Sequence, residues 1–122
     1  MMVIIPLDAG RLDAHVFISF GRAPWFALFD TARNTLKFIE NSAAQNQGGA
    51  GIKAAQAALD LGAQAVIAPR LGQNAADVLL AADVKVYEAW DGSVEENIAL
   101  FTAGKLKTLT QVNPGIHGDG AS

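Results

Sequence analysis

The chain contains no cysteine. Disulfides are therefore excluded, and so is any metal cluster held by the chain's own thiolates. Only two histidines are present, His15 and His117. Both fall in segments read below as loop or tail, so the pattern offers no nucleophile–base–acid triad. Runs of one charge are missing as well. Nine Lys and Arg are scattered among twelve Asp and Glu, for a net charge of −3. A nucleic-acid binder would show a basic stripe, so no nucleic acid is expected as a partner. No stretch approaches the ~20 apolar residues of a membrane span. The first residues lack the charged start and long apolar core of a signal peptide. The expectation is a cytoplasmic protein with no membrane partner.

What is present is an apolar chain of ordinary domain size. Of its 122 residues 51% are hydrophobic, enough for one buried core. Residues 1–112 read as a single domain. Residues 113–122 are small and polar and read as a flexible tail that includes His117.

Met2–Leu7 is a short apolar run and reads as a buried strand. Residues 9–19 are irregular and read as a loop. Trp25–Asp30 and Thr35–Glu40, separated by a polar turn, predict an antiparallel hairpin. Lys37 marks its outer strand as an edge facing water. After a polar loop, residues 51–61 predict a helix with Ile52, Ala55 and Leu59 on one face and Gly62 just past its end. Residues 63–68 read as a strand cut by Pro69. The next helix begins near Gly72, with Asn74 as its expected N-cap and Asp77 in its first turn. Residues 84–89 are the last strand. Residues 93–103 are the last helix, opened by the Ser93–Glu96 capping box and carrying Val94, Ile98 and Phe101 as its stripe. The second half alternates strand and helix, which predicts parallel pairing with right-handed crossovers. The sum is an α/β fold with a five-stranded mixed sheet, one antiparallel hairpin and three helices.

The stretch GGAGIKAAQAALDLGAQAVIAP stands out, because Gly48, Gly49 and Gly51 directly precede an alanine-rich helix. Such a loop brings unpaired backbone N–H groups and the positive end of a helix dipole to one place, a setting suited to an anion. It matches neither the dinucleotide nor the phosphate-loop pattern. The glycines also have a plain use in close helix–sheet approach. Gly72 and Asn74 have a similar double reading, as part of an anion site or as turn and cap. These loops follow strands expected to end on one side of the sheet, where open α/β sheets bind ligands.

Taken together, GGAGIKAAQ, APRLGQNA, SFGRAPWFALFD, VKVYEAWDGSVEE and FTAGKLK resemble the dinitrogenase iron–molybdenum cofactor biosynthesis family, from Val3 to Lys107. The resemblance implies a ribonuclease H-like fold with sheet order 3-2-1-4-5. It also implies the binding of iron–sulfur or iron–molybdenum cofactor intermediates, and site residues in the Ser19, Phe20, Gly21, Arg22 loop. The family's loop commonly reads His-Phe-Gly, and its histidine is the proposed ligand. Here Ser19 occupies that position, and a hydroxyl is a poor ligand for cluster iron. His15, four residues earlier, is either a substitute metal ligand or a solvated loop histidine. Arg22 is either a clamp on an anion or a partner of a surface carboxylate or loop carbonyl. Phe20 and Trp25 are either pocket wall or core.

Catalysis is not expected. Asp8, Asp13, Asp30, Asp60 and Asp77 form no two-metal set, since they fall at strand ends, in a loop or on helices rather than mid-strand on neighbouring strands. Two functions remain. One is a non-catalytic carrier of an anionic iron–sulfur or iron–molybdenum cluster precursor. The other is a small adaptor that binds a protein partner or a simple anion.

Overall fold

The computed structural model describes residues 1–46 and 48–109. The expected tail and His117 lie outside the described residues. Five strands form one sheet in the order β3-β2-β1-β4-β5: β1 Met2–Leu7, β2 Trp25–Asp30, β3 Thr35–Glu40, β4 Ala65–Ala68 and β5 Lys85–Glu88. This is the order the resemblance implied. β1 pairs antiparallel with β2 and parallel with β4, and β4 pairs parallel with β5. β2 and β3 form the predicted hairpin. Its turn is closed by Asp30, whose Oδ1 accepts from the backbone N of Ala32 at 3.0 Å. This is the local bond that makes aspartate a turn residue.

Strand periodicity divides the sheet into two cores. Ile4, Phe26 and Val66 face one side with α1 (Ala50–Asp60) and α2 (Gln73–Ala81). Val3, Ile5, Phe29 and Ile67 face the other with α3 (Val94–Thr102). β1 is buried from Val3 onward because it is sandwiched between both layers. The buried face of α1 is a strip of alanines, Ala50, Ala54, Ala55 and Ala58, while Ile52 and Leu59 are only half-buried. Small side chains let α1 approach the sheet and α2 closely, so the helix packs on its least bulky face. On α3, Val94 and Asn97 are fully buried, and Phe101 meets Tyr87 edge-on at 5.2 Å.

One expectation is corrected. Asn74 does not cap α2. The helix begins one residue earlier, at Gln73, with Gly72 as N-cap and no side-chain cap bond. By contrast the Ser93–Glu96 box forms in both directions, at 3.1 and 2.9 Å. Ser93→Ala is expected to lower stability by about 1 kcal/mol, the usual cost of losing a cap, read from the shift of a denaturant midpoint. A short 3₁₀ turn, Ser42–Gln45, also lies in what reads from sequence as plain loop.

The outer edge of β5 is covered by the chain after α3. Glu88 N donates to Lys107 O and Leu109 N donates to Val86 O, both at 2.8 Å. β3 is the outermost strand on the other side, and among the described residues no strand pairs with its outer edge, where Lys37 is exposed.

Candidate functional site

Strand directions place several loops together. Leu7 pairs with Trp25, Trp25 with Glu40, and Ala68 with Glu88. The carboxyl ends of β1, β3, β4 and β5 therefore lie along one edge of the sheet. From β1 the chain goes outward to β2, whereas from β4 it goes the opposite way to β5. That divergence is a topological switch point, where such sheets leave a crevice.

A cavity of about 650 Å³ lies among these loops. Its wall brings together Ser19, Phe20, Gly21, Arg22, Gly49, Gly51, Gly72 and Asn74 of the residues singled out from the sequence. Gly48 is exposed and is not part of the wall, and neither is His15. Ile18 and Ala50, within the loop and helix start expected to form the site, also line it, together with Ile52, Arg70, Gln73 and Ala75, which carried no such expectation. Arg70 sits inside the APRLGQNA segment, two residues past the end of β4. A cation just beyond the carboxyl end of a strand at the switch point was the available signal.

Local geometry explains most of the wall. A Cβ built on Gly21 would lie 2.7 Å from Gly51 N and 2.8 Å from its Cα, so the loop rests directly on the first turn of α1. Gly49 has a φ of 70°, the left-handed conformation that favours glycine. Gly72 is different: its φ is −70° and no atom lies within 4 Å of its missing Cβ. Nothing in the fold demands glycine there. Phe20 is 3% exposed and stacks on Phe26 at 5.1 Å, so its ring belongs to the core and only backs the wall. Trp25 lies outside the wall and packs in the core on the opposite side of the sheet.

The 19–23 loop is held from behind. Asn41, 6% exposed, donates from Nδ2 to Gly21 O at 3.2 Å and to Ala23 O at 2.8 Å. Its Oδ1 accepts from Ala43 N at 3.1 Å. Arg22 also joins the two segments, since its Nη1 donates to Ala44 O at 3.1 Å and to Asn46 O. His15 is occupied elsewhere. Its Nδ1 is 2.8 Å from Val16 O, its Nε2 is 3.0 Å from Asp91 Oδ1, and its backbone bridges to Ser93 at the start of α3.

The donor set is distinctive. The wall offers two guanidinium groups, the Ser19 hydroxyl, the amides of Gln73 and Asn74, and the glycine-led starts of α1 and α2. Among the described residues it contains no carboxylate, imidazole or thiolate. Among the described residues no three His, Cys, Asp or Glu side chains cluster. Such a wall attracts anions through charge and N–H donors, and it lacks the side chains that ligate iron or molybdenum.

Known proteins agree with this frame. A family model described as dinitrogenase iron-molybdenum cofactor matches residues 1–104. The chain belongs to that family. An uncharacterized protein of Methanocaldococcus jannaschii is 32% identical over 110 residues, spanning 88% of this chain and 90% of that relative. The apo orange protein of Desulfovibrio gigas superposes with a TM-score of 0.85 at 27% identity, covering 92% of this chain and 95% of its own. A NifB-like protein from Thermotoga gives 0.81 at 34% identity, with 98% of each chain covered. Family membership and sheet order match what the five sequence segments implied.

Proposed function

We propose that the protein is a non-catalytic carrier that holds an anionic iron–sulfur or iron–molybdenum cluster precursor in this cavity. The observation that carries the reading is the wall itself in a member of this family: two arginines and two glycine-led helix starts, with no His, Cys, Asp or Glu among its described residues. The cargo is held by charge and hydrogen bonds to its outer atoms, with its own ligands complete. Ser19 in place of the family histidine fits that mode, because a hydroxyl can donate to an outer sulfur or oxygen but ligates iron poorly. No helix of the described residues is long and apolar enough to cross a membrane, which suits a carrier working in the cytoplasm.

The test is anaerobic transfer from a cofactor-loaded donor, alongside reconstitution with iron and sulfide, followed by visible absorption after desalting. The wild type is expected to gain an absorption band on transfer and to release the cargo as salt is raised, since exposed charge interactions are screened within about 10 Å at 0.1 M salt. No band in either wild type or Ser19→His would overturn the reading. A band in Ser19→His alone would show that this chain has lost the cargo. It would leave the second reading: a small adaptor that binds a protein partner or a simple anion.

A further inference from the structure

The two arginines on the wall are differently engaged. Arg22 has its Nη1 committed to the carbonyls of Ala44 and Asn46, so its guanidinium already bridges two backbone segments. Arg70 is exposed on the wall and forms no hydrogen bond or ion pair with a described residue. We propose that Arg70 is the side chain that contacts the bound anion, and that Arg22 is a positioning residue that holds the opposite wall. This deepens the carrier reading and rests on it.

Three observations carry the assignment. Arg70 stands two residues past β4, where the chain leaves the sheet away from the exit of β1. Its backbone thus lies close to the carboxyl end of β4 on the cavity wall, and its planar fork of donors can meet two outer atoms of one anion at once. Gly72 next to it adds no side chain, although the fold has room for one. The first turn of α2 thus stays open to whatever Arg70 holds. Arg22 stands on the loop that rests against α1, and that loop keeps its place through Asn41 and Arg22 together. A bound anion competing for the Nη1 hydrogens of Arg22 would have to take them from the Ala44 and Asn46 carbonyls. Among the described residues Arg70 has no such competitor. The ligand class is a compact anion presenting several outward oxygens or sulfurs, and a volume near 650 Å³ admits one much larger than phosphate.

Molybdate and inorganic phosphate serve as probes, with affinity read by calorimetry and folding by thermal unfolding. Arg70→Ala should weaken molybdate binding about tenfold or more, as expected for a charge-assisted hydrogen bond. Its unfolding temperature without ligand should stay that of the wild type. Arg70→Lys should keep the charge and lose part of the affinity, because the fork is gone. Arg22→Ala should lower the unfolding temperature and speed amide exchange at Ala44 and Asn46. Any loss of affinity in that variant should follow the loosened loop. Wild-type affinity in Arg70→Ala would overturn the assignment. So would an Arg22→Ala protein that loses binding while its stability and exchange stay unchanged. The carrier reading fails separately, if the wild type takes up neither the probes nor the cargo of a loaded donor. Cargo uptake that survives Arg70→Ala undiminished would overturn only the role of Arg70.

Discussion

Gly21→Ala is expected to destabilise the protein by about 3 kcal/mol, at the upper end of what overpacking costs. The added methyl would meet Gly51 N at 2.7 Å, Gly51 Cα at 2.8 Å and the carbonyl carbon of Ala50 at 2.9 Å. All three are backbone atoms of the first turn of α1. No side chain can swing away, so either the loop lifts or the helix start shifts, and the cavity wall moves with it. Gly51→Ala is the matching control from the other side of the contact. There the new methyl would sit 3.6 Å from the Ala75 Cβ, an ordinary van der Waals distance. A helical position that accepts alanine gains roughly 0.5–1 kcal/mol over glycine. Gly51→Ala should therefore hold or raise the denaturant midpoint while Gly21→Ala lowers it. Equal midpoints for Gly21→Ala and wild type would show that the loop does not rest on α1 as described. Higher stability in Gly51→Ala together with weaker molybdate binding would mark Gly51 as a residue kept for the ligand, a trade-off common where sites oppose stability.

The fold was legible because each element carries a local signal that agrees with its tertiary place. Met2–Leu7 is continuously apolar, and β1 is covered on both faces. The Ser93–Glu96 spacing is a complete local code for a helix start, and the box forms as read. Asn74 misled because a good capping residue lies one position inside the true start, and an extended Gly72 serves as N-cap without any side chain. The cavity wall was legible in part, for a related reason. Glycine runs and Ser19 to Arg22 sit in loops whose location follows from strand direction. Arg70 carries no local signature, and its place on the wall appears only when the exits of β1 and β4 are seen to diverge. His15 looks like a ligand from four residues away in sequence, yet the bridge to Ser93 turns it toward Asp91 and away from the cavity wall. Asn41 was the least visible, since a buried asparagine is defined by partners 18 and 20 residues away along the chain.

Asn41→Ala should cost about 3 kcal/mol and loosen the cavity, a larger effect than its place in a polar loop suggests. The side chain makes three hydrogen bonds while 6% exposed, to Gly21 O, Ala23 O and Ala43 N. Truncation leaves buried backbone groups without their partner, at roughly 1–3 kcal/mol for each one that water cannot reach. The exposed Arg22 joins the same segments, but water can replace its bonds, so Arg22→Ala should cost less, about 1 kcal/mol. Asn41→Asp sharpens the test. One oxygen could still accept from Ala43 N, but the other would face two carbonyl acceptors with no hydrogen to offer. The ionised form is disfavoured by burial and by those carbonyls, so the folded-state pKa of the new carboxyl is raised. The native state then holds more protons than the unfolded state, and stability falls as pH rises. The deficit of Asn41→Asp should be smallest below the unfolded value of about 4 and should grow as pH climbs through the raised folded value. Denaturant midpoints at about pH 5 and about pH 7 should therefore diverge for Asn41→Asp relative to wild type, and stay parallel for Asn41→Ala. A pH-independent deficit in Asn41→Asp would mean that the two carbonyls do not face this side chain. The loop that carries Ser19 to Arg22 would then be held by Arg22 and the Gly21–Gly51 contact alone.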